Sequence, residues 1–429
     1  MYGKLHPLFR LPWFRRVWAF QETVLARKVV CYCGEHTFSF EDLVHAADFK
    51  FVPYSNPDAT ALHWATYVSG HSWAIQCLQQ KEQGKETVFH SADLLLMAGE
   101  LNATRPEDKI YGLYGCATRL GLDWPTPDYT KSVAQIYIEA TVASFRKDND
   151  IGIMGMAIDS AVGELGLPSW VPEFSGPTHV SSLSKPPKLA AELLQDKQCS
   201  GASQCEWNFI PEQRHLKVKG RRFDYITAVS EPWRTISLMT LPEDTSIMEA
   251  RVQNLERFKN CIGSWFEVTL QRNKIRESST SLADKLVAIS DLADLVANAD
   301  PEVFGSSDRV AENFSRIITY TGKSGDLLTF LADCDDDNVE TIRQAVNNML
   351  QFQWKLIFRT TNKLCIGISN YNAEAGDLLV VFHGMKSPCV IRPCAGGFNF
   401  IGSAFVEGIL NGEFWEGGSN EDDEWFTLI

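Results

Sequence analysis

GDLLVVFHG (376–384), PCVIRP (388–393) and FNFIGSAFV (398–406) are three short apolar runs separated by turn residues. From residue 356 onward the chain alternates and turns like a small antiparallel β-unit, with these runs as its strands. The tail that follows, GGSNEDDEW (417–425), is acidic and polar. It is expected to be mobile except for its last aromatic residues.

Upstream the pattern changes to a helical period. Trp13, Phe14, Val17, Trp18 and Val24 supply a stripe that predicts a helix over 12–27. VVCYCGEHTFSF (29–40) reads as two short strands around a Gly-containing turn. Helices are predicted over 40–49, 57–80, 91–104 and 132–147. GPTHVSSLSKPPK (176–188) is Pro/Ser-rich and reads as a surface loop, and 206–235 reads as extended chain. A strong amphipathic helix is predicted over 246–275, with further helices near 280–299, 308–322 and 337–350. The expected fold class is α+β, mainly helical with a C-terminal antiparallel β-unit. The expected organisation is a helical region 1–175, a loop-rich connection 176–205, an extended segment plus helical region 206–355 holding the candidate site, and the β-unit with its acidic tail over 356–429.

Bulk properties narrow the function classes. A chain of 429 residues exceeds one ordinary core and fits two or three packed subdomains. With 45% hydrophobic and 22% charged residues it has ordinary globular composition. The net charge of -14, with no basic cluster, disfavours a nucleic-acid partner. No run of 18 apolar residues predicts a membrane span, and the start carries no signal-peptide pattern. The 11 Cys form no framework, which points to reduced thiols and a cytoplasmic location. Cys31, Cys33 and His36 invite a zinc reading but lack a second ligand pair at zinc spacing.

Five segments carry a family resemblance. WFRRVWAFQE (13–22), RPEDKIYGLYG (105–115), PDYTKSV (127–133), LPSWVPEF (167–174) and the C-terminal run through VEGILNGE (406–413) occur in one order. In that order they resemble fungal heterokaryon-incompatibility (HET) proteins. The likeness is to the C-terminal portion, since the Ser-Tyr-x-Trp-Gly and Cys-Ile-Asn-Gln segments of the TIR-like N-terminal part are not found here. Any nucleotide-cleaving or death-signalling activity of that part therefore does not carry over. The structural reading makes Trp13, Trp18 and Trp170 core anchors, and gives Asp108 and Lys109 a helix cap or a salt bridge.

Two features could carry chemistry. Asp336, Asp337 and Glu340 match the Asp-Asp-x-x-Asp/Glu pattern of class I terpene cyclases. On one helix face such carboxylates can hold Mg²⁺, which grips a diphosphate. The same residues would also suit a helix N-terminus through its dipole. Lys259 falls inside the apolar arc of 246–275 formed by Met248, Val252, Leu255, Ile262, Phe266 and Leu270. A cation there must pair with an anion, lower its pKa or snorkel to water.

The chain is also similar, in size and in this Mg²⁺/lysine pattern, to the non-canonical humulene-forming terpene cyclases of fungal tropolone sesquiterpenoid pathways. Its 25 Phe and 12 Trp suit an apolar, aromatic pocket. The primary expectation is thus an Mg²⁺-dependent sesquiterpene cyclase that ionises farnesyl diphosphate. Lys259 would be catalytic, Leu255, Ile262, Phe266 and Lys274 would bind substrate, and Asp336, Asp337 and Glu340 would hold the metal. The isoprenoid diphosphate is then the expected partner. The alternative is a non-enzymatic, HET-derived regulatory or protein-interaction module.

Overall fold

The computed structural model describes residues 11–48, 71–72, 74–85, 91–157, 163–175, 198–232, 264, 355–363, 365–406, 409–418 and 420–429. These fall into two compact units. The first takes the described residues within Met1–Ile153, Val162–Leu167 and Val171–Ser182. The second takes those within Met154–Ala161, Pro168–Trp170 and Leu183–Ile429.

The first unit is helical. A short 3-10 turn, Pro12–Arg15, precedes helix α1 (Val17–Leu25), and the backbone at Arg16 is extended between them. Val17, Phe20 and Val24 recur at helical spacing and are buried together. Trp13 and Trp18 are half-buried rather than central. Strands β1 (Val30–Cys33) and β2 (His36–Ser39) form a hairpin, with Gly34 at φ +61 in its turn. Helices α2 (Phe40–Asp48), α3 (Ser91–Glu100), α4 (Asp108–Tyr111), α5 (Tyr114–Leu120) and α6 (Val133–Asp148) follow. Capping explains the bounds of α6. The Ser132 hydroxyl accepts from Gln135 N at 3.2 Å, and Asn149 turns left-handed at φ 50.

Close packing of α1 on α4 and α5 depends on two glycines. A Cβ at Gly112 would lie 2.8 Å from the Val17 methyls, and one at Gly115 would lie 2.7 Å from Gln21 Oε1. With no side chain in the way, Gly115 N donates to Gln21 Oε1 at 2.6 Å. Two of the segments that carry the family resemblance are thereby joined in space.

The second unit corrects the mainly helical expectation. The class is α+β, but the described part of this unit is built largely of strands. The extended chain expected at 206–235 becomes β3 (Trp207–Ile210) and the 15-residue β4 (His215–Val229). Strands β5 (Lys355–Thr360), β6 (Ile366–Asn370), β7 (Leu378–Phe382), β8 (Cys389–Cys394), β9 (Gly397–Ser403) and β10 (Phe405–Val406) follow, then the short helix α7 (Glu413–Glu416) and β11 (Glu424–Leu428). The acidic tail expected to be mobile ends in β11, which lies between β4 and β9. The helices expected at 246–275, 280–299, 308–322 and 337–350 lie outside the described residues, apart from Ser264.

The first half of β4 pairs with β3 on one edge and β11 on the other, and its second half pairs with β7 and β5. Because β7, β8, β9 and β11 pair in succession, β4, β7, β8, β9 and β11 close a ring. Closure removes free edges that would otherwise template unwanted pairing. One pairing departs from the antiparallel expectation. β11 runs parallel to β9, through the single pair Leu428 and Phe398. Ser169 bridges this short seam. Its hydroxyl donates to Ile429 O at 2.5 Å and accepts from Phe400 N at 2.9 Å.

All five β7 residues are buried, which explains why LLVVF reads as a continuous apolar run rather than an alternating one. On one face Phe382 and Phe398 each meet Phe426 edge-on, at 5.7 and 5.6 Å between ring centres. Gly220 makes room for them, since a Cβ there would lie 2.9 Å from the Phe382 ring. On the other face Leu379, Val381, Val390, Phe358 and Ile401 form a second apolar cluster, with Phe414 and Trp415 packed against it.

Candidate functional site

The residues that sequence reasoning assigned to diphosphate chemistry lie outside the described residues. They are Lys259, Leu255, Ile262, Phe266 and Lys274 on the expected helix 246–275, and Asp336, Asp337 and Glu340. Cys31, Cys33 and His36 are described, on the β1–β2 hairpin, where Cys33 stands opposite His36. Among the described residues no group of three or more His, Cys, Asp or Glu is placed to hold a metal ion. No helix among them is long and apolar enough to cross a membrane.

Within the first unit, polar side chains gather where the family-like segments meet. Asp108 is buried. It accepts from Trp18 Nε1 at 3.3 Å and from the Tyr129 hydroxyl at 2.8 Å. Arg105 lies over the Tyr129 ring at 4.6 Å. Burial, the bond to Asp108 and its negative charge push the Tyr129 hydroxyl up to about 12. It therefore stays protonated at neutral pH, and this hydrogen bond persists.

Lys109 is also buried, and its cap role is resolved in favour of a helix C-terminus. Its ammonium donates to the carbonyls of Gly99, at 3.4 Å, and Leu101, both at the end of α3. Asp148 accepts from Ser91 N and Ala92 N, both at 3.0 Å, at the start of the same helix. A carboxylate at the N-terminus and a cation at the C-terminus each oppose the α3 dipole and satisfy its orphaned backbone groups. Burial still dominates at Lys109 and pulls its pKa down to about 8.

Because that folded value lies below the unfolded value of about 10.4, the unfolded chain holds more protons between them. Stability should therefore rise with pH from about 8 to about 10. Lys109→Met should abolish this rise, and it should cost about 1–3 kcal/mol near neutrality by leaving two carbonyls without their donor. Denaturant titrations of both proteins at pH 7, 8.5 and 10 measure the effect. Parallel pH curves would show that Lys109 does not titrate as its burial implies.

The densest charge cluster lies in the second unit. Arg221, from β4, is 4% exposed at its side chain, and its Nε donates to Asp423 Oδ1 at 2.6 Å. Its Nη1 donates to Trp415 O at 2.9 Å, and its guanidinium lies 4.1 Å over the Trp415 ring. His383, at the end of β7, places Nε2 3.1 Å from Asp423 Oδ2 and meets Trp415 edge-on at 4.7 Å. Lys219 bonds both oxygens of Glu206, at 3.1 and 3.2 Å, and lies 3.7 Å from Asp423. Lys363 adds a further cation, 5.0 Å over Phe223 and 5.2 Å over Phe414.

The electrostatics follow from burial and neighbours. Burial, the largest effect, pushes the His383 pKa below its ordinary value, although Asp423 and Glu206 pull against it. Burial alone would raise the Asp423 carboxyl, yet the bond from Arg221 and the adjacent positive charges hold it below the usual range. At neutral pH the cluster thus holds an ionised Asp423 and a neutral His383. These groups fasten α7 and the start of β11 to the barrel wall. Arg221, Lys219 and Lys363 each meet a protein carboxylate or ring, so the arrangement is suited to holding segments together.

Sequence reasoning did not single out Arg221, His383, Trp415 or Asp423 as a group. Arg221 and Asp423 stand 202 positions apart, and no local spacing signals their meeting. A weak cue existed in the placement of Arg221 at period two with Lys217 and Lys219.

Comparisons with known proteins agree with the β-rich unit. A Het-6 beta-barrel domain matches residues 318–428. "Heterokaryon incompatibility protein 6, OR allele" of Neurospora crassa is 22% identical, over 96% of this chain and 65% of that protein. The chain thus spans about 65% of the length of this relative. No solved structure matches. The likeness supports the HET-like reading drawn from the sequence, and nothing in it supports a terpene cyclase.

Proposed function

We propose that the chain is a regulatory or protein-interaction module of the heterokaryon-incompatibility type. The observation that carries this reading is the match of the C-terminal strands to the Het-6 barrel domain, joined to a likeness running over 96% of the chain. The described polar clusters are consistent with it, because their ionised groups are bonded to other protein groups and hold elements together. In this reading the barrel is a scaffold that presents surface to a protein partner, and its role belongs to the heterokaryon incompatibility that the relative's name states.

The test has two arms. Expression of the chain in Neurospora crassa hyphae, followed by fusion with untransformed strains, should reduce the growth of mixed cells. Growth equal to that of the vector control would count against the module. Incubation of the purified chain with farnesyl diphosphate and Mg²⁺ should release no hydrocarbon. A volatile sesquiterpene lost on Lys259→Ala would overturn the module reading in favour of the cyclase.

A further inference from the structure

His383 is surrounded on every side by groups that fix the charge it can tolerate. From β4 come Lys219 and Arg221. From the turn before β3 comes Glu206, whose Oε1 lies 3.7 Å from His383 Nδ1. Cys205 lies against the neighbouring Gly384, where an added Cβ would sit 2.6 Å from Cys205 N. From the start of β11 comes Asp423, with the exposed Asp422 before it. From α7 comes the uncharged Trp415 ring; Glu413 is taken up by Asn411, with bonds of 2.8 and 2.7 Å, and Glu416 is exposed.

With His383 neutral, the two cations Lys219 and Arg221 are matched by the two anions Asp423 and Glu206. A proton on His383 breaks this match inside a site whose His383, Arg221 and Asp423 side chains are each under one-tenth exposed. The added charge has to be held in a site that burial closes to water and is repelled by Lys219, and the attraction of Asp423 and Glu206 offsets this only in part. Arg221 stacks on the Trp415 ring, 4.1 Å from its centre, and ties that ring to the cluster. The cheapest relief is to let water in, and the piece that shields the cluster is the short segment bearing α7.

We propose that Arg221, Asp423, His383 and Trp415 form a proton-operated clasp, in which protonation of His383 releases the segment 409–418 from the barrel wall. Release uncovers the Phe414 and Trp415 rings together with the apolar cluster beneath them. Mild acid thereby converts a closed barrel wall into one with exposed aromatic surface. The clasp does not depend on the identity of any partner, and its test leaves the module reading untouched.

Hydrogen exchange read by mass spectrometry over peptides spanning 409–418 tests the clasp directly, after correction for the intrinsic pH dependence of exchange. Between pH 7.5 and 5.5 the protection of this segment should fall, by on the order of tenfold per pH unit at its steepest, the limit for uptake of one proton. Peptides from β7 and β8 should keep their protection. His383→Gln retains an amide for Asp423 and has no proton to gain, so its protection should be the same at both pH values. Lys219→Met removes a repelling cation and should shrink the loss, which keeps the test open if the glutamine variant folds poorly. Equal protection at both pH values in the unaltered protein would overturn the clasp. So would an undiminished loss in either variant.

Discussion

Asp423→Ala is expected to destabilise the second unit by about 3–5 kcal/mol, the cost of leaving a buried cation without its carboxylate. Arg221 is 4% exposed and cannot reach bulk water without moving α7. It would keep the Trp415 carbonyl and ring, which supply a dipole and a π-face but no opposing charge. His383 would lose its 3.1 Å partner at the same time. A second change separates the loss of the pair from the cost of the orphan. Arg221→Met in the Asp423→Ala background removes the stranded charge and fills similar volume, so it should restore more than half of the lost stability. Urea denaturation of the four proteins closes the cycle. A loss below about 1 kcal/mol for Asp423→Ala would mean that Arg221 is solvated in the native state, as surface pairs are.

The same cluster shows which parts of the structure the sequence could disclose. Elements made by local patterning were legible. The strands read from GDLLVVFHG and PCVIRP fall at β7 and β8, that read from FNFIGSAFV is split into β9 and β10, and the helix expected over 132–147 is α6, Val133–Asp148. Each depends on the spacing of nearby apolar residues or on a cap within four positions. β11 was missed because NEDDEWFTL has too little alternation to announce a strand, and its pairing to β4 at Gly220 bridges a gap of about two hundred residues. The α1 expectation was too long for a related reason. Pro12 and the extended Arg16 break the start into a 3-10 turn and a helix, and Trp18 is half-buried with its Nε1 bonded to Asp108.

The candidate site divides along the same physical line. Asp108 and Lys109 were expected to make a helix cap or a salt bridge; Lys109 does cap a helix, whereas Asp108 accepts from Trp18 and Tyr129 instead. Which terminus Lys109 caps was not readable, because the carbonyls of Gly99 and Leu101 come from the preceding helix. The charged cluster is assembled from distant segments, so beyond the period-two placement of Arg221 with Lys217 and Lys219 nothing local announces it. Lys259, Asp336 and their companions fall outside the described residues, and the barrel match covers Asp336, Asp337 and Glu340 but not Lys259. The assay with farnesyl diphosphate therefore bears on them directly.

Trp170→Ala is expected to cost about 3–5 kcal/mol, the usual range for removing a large aromatic side chain from a core. Trp170 is 0% exposed. Its ring meets Phe209 of β3 edge-on at 5.7 Å, and its Nε1 donates to Arg214 O at 3.2 Å. That carbonyl belongs to the turn between β3 and β4, where Arg214 adopts φ 55, a left-handed conformation unusual for a residue with a side chain. Trp170 thus holds both the apolar face of the β3–β4 hairpin and the strained corner that joins its strands. Trp170→Phe should separate the two contributions. It keeps much of the buried area but loses the hydrogen bond, so its cost should be about 1–2 kcal/mol. Hydrogen exchange across residues 207–218 should accelerate in both variants, with the turn amides opening first in Trp170→Phe. If Trp170→Ala leaves the hairpin as protected as before, the hairpin is held by its pairing with β11 alone, and Trp170 fills space without fixing the turn.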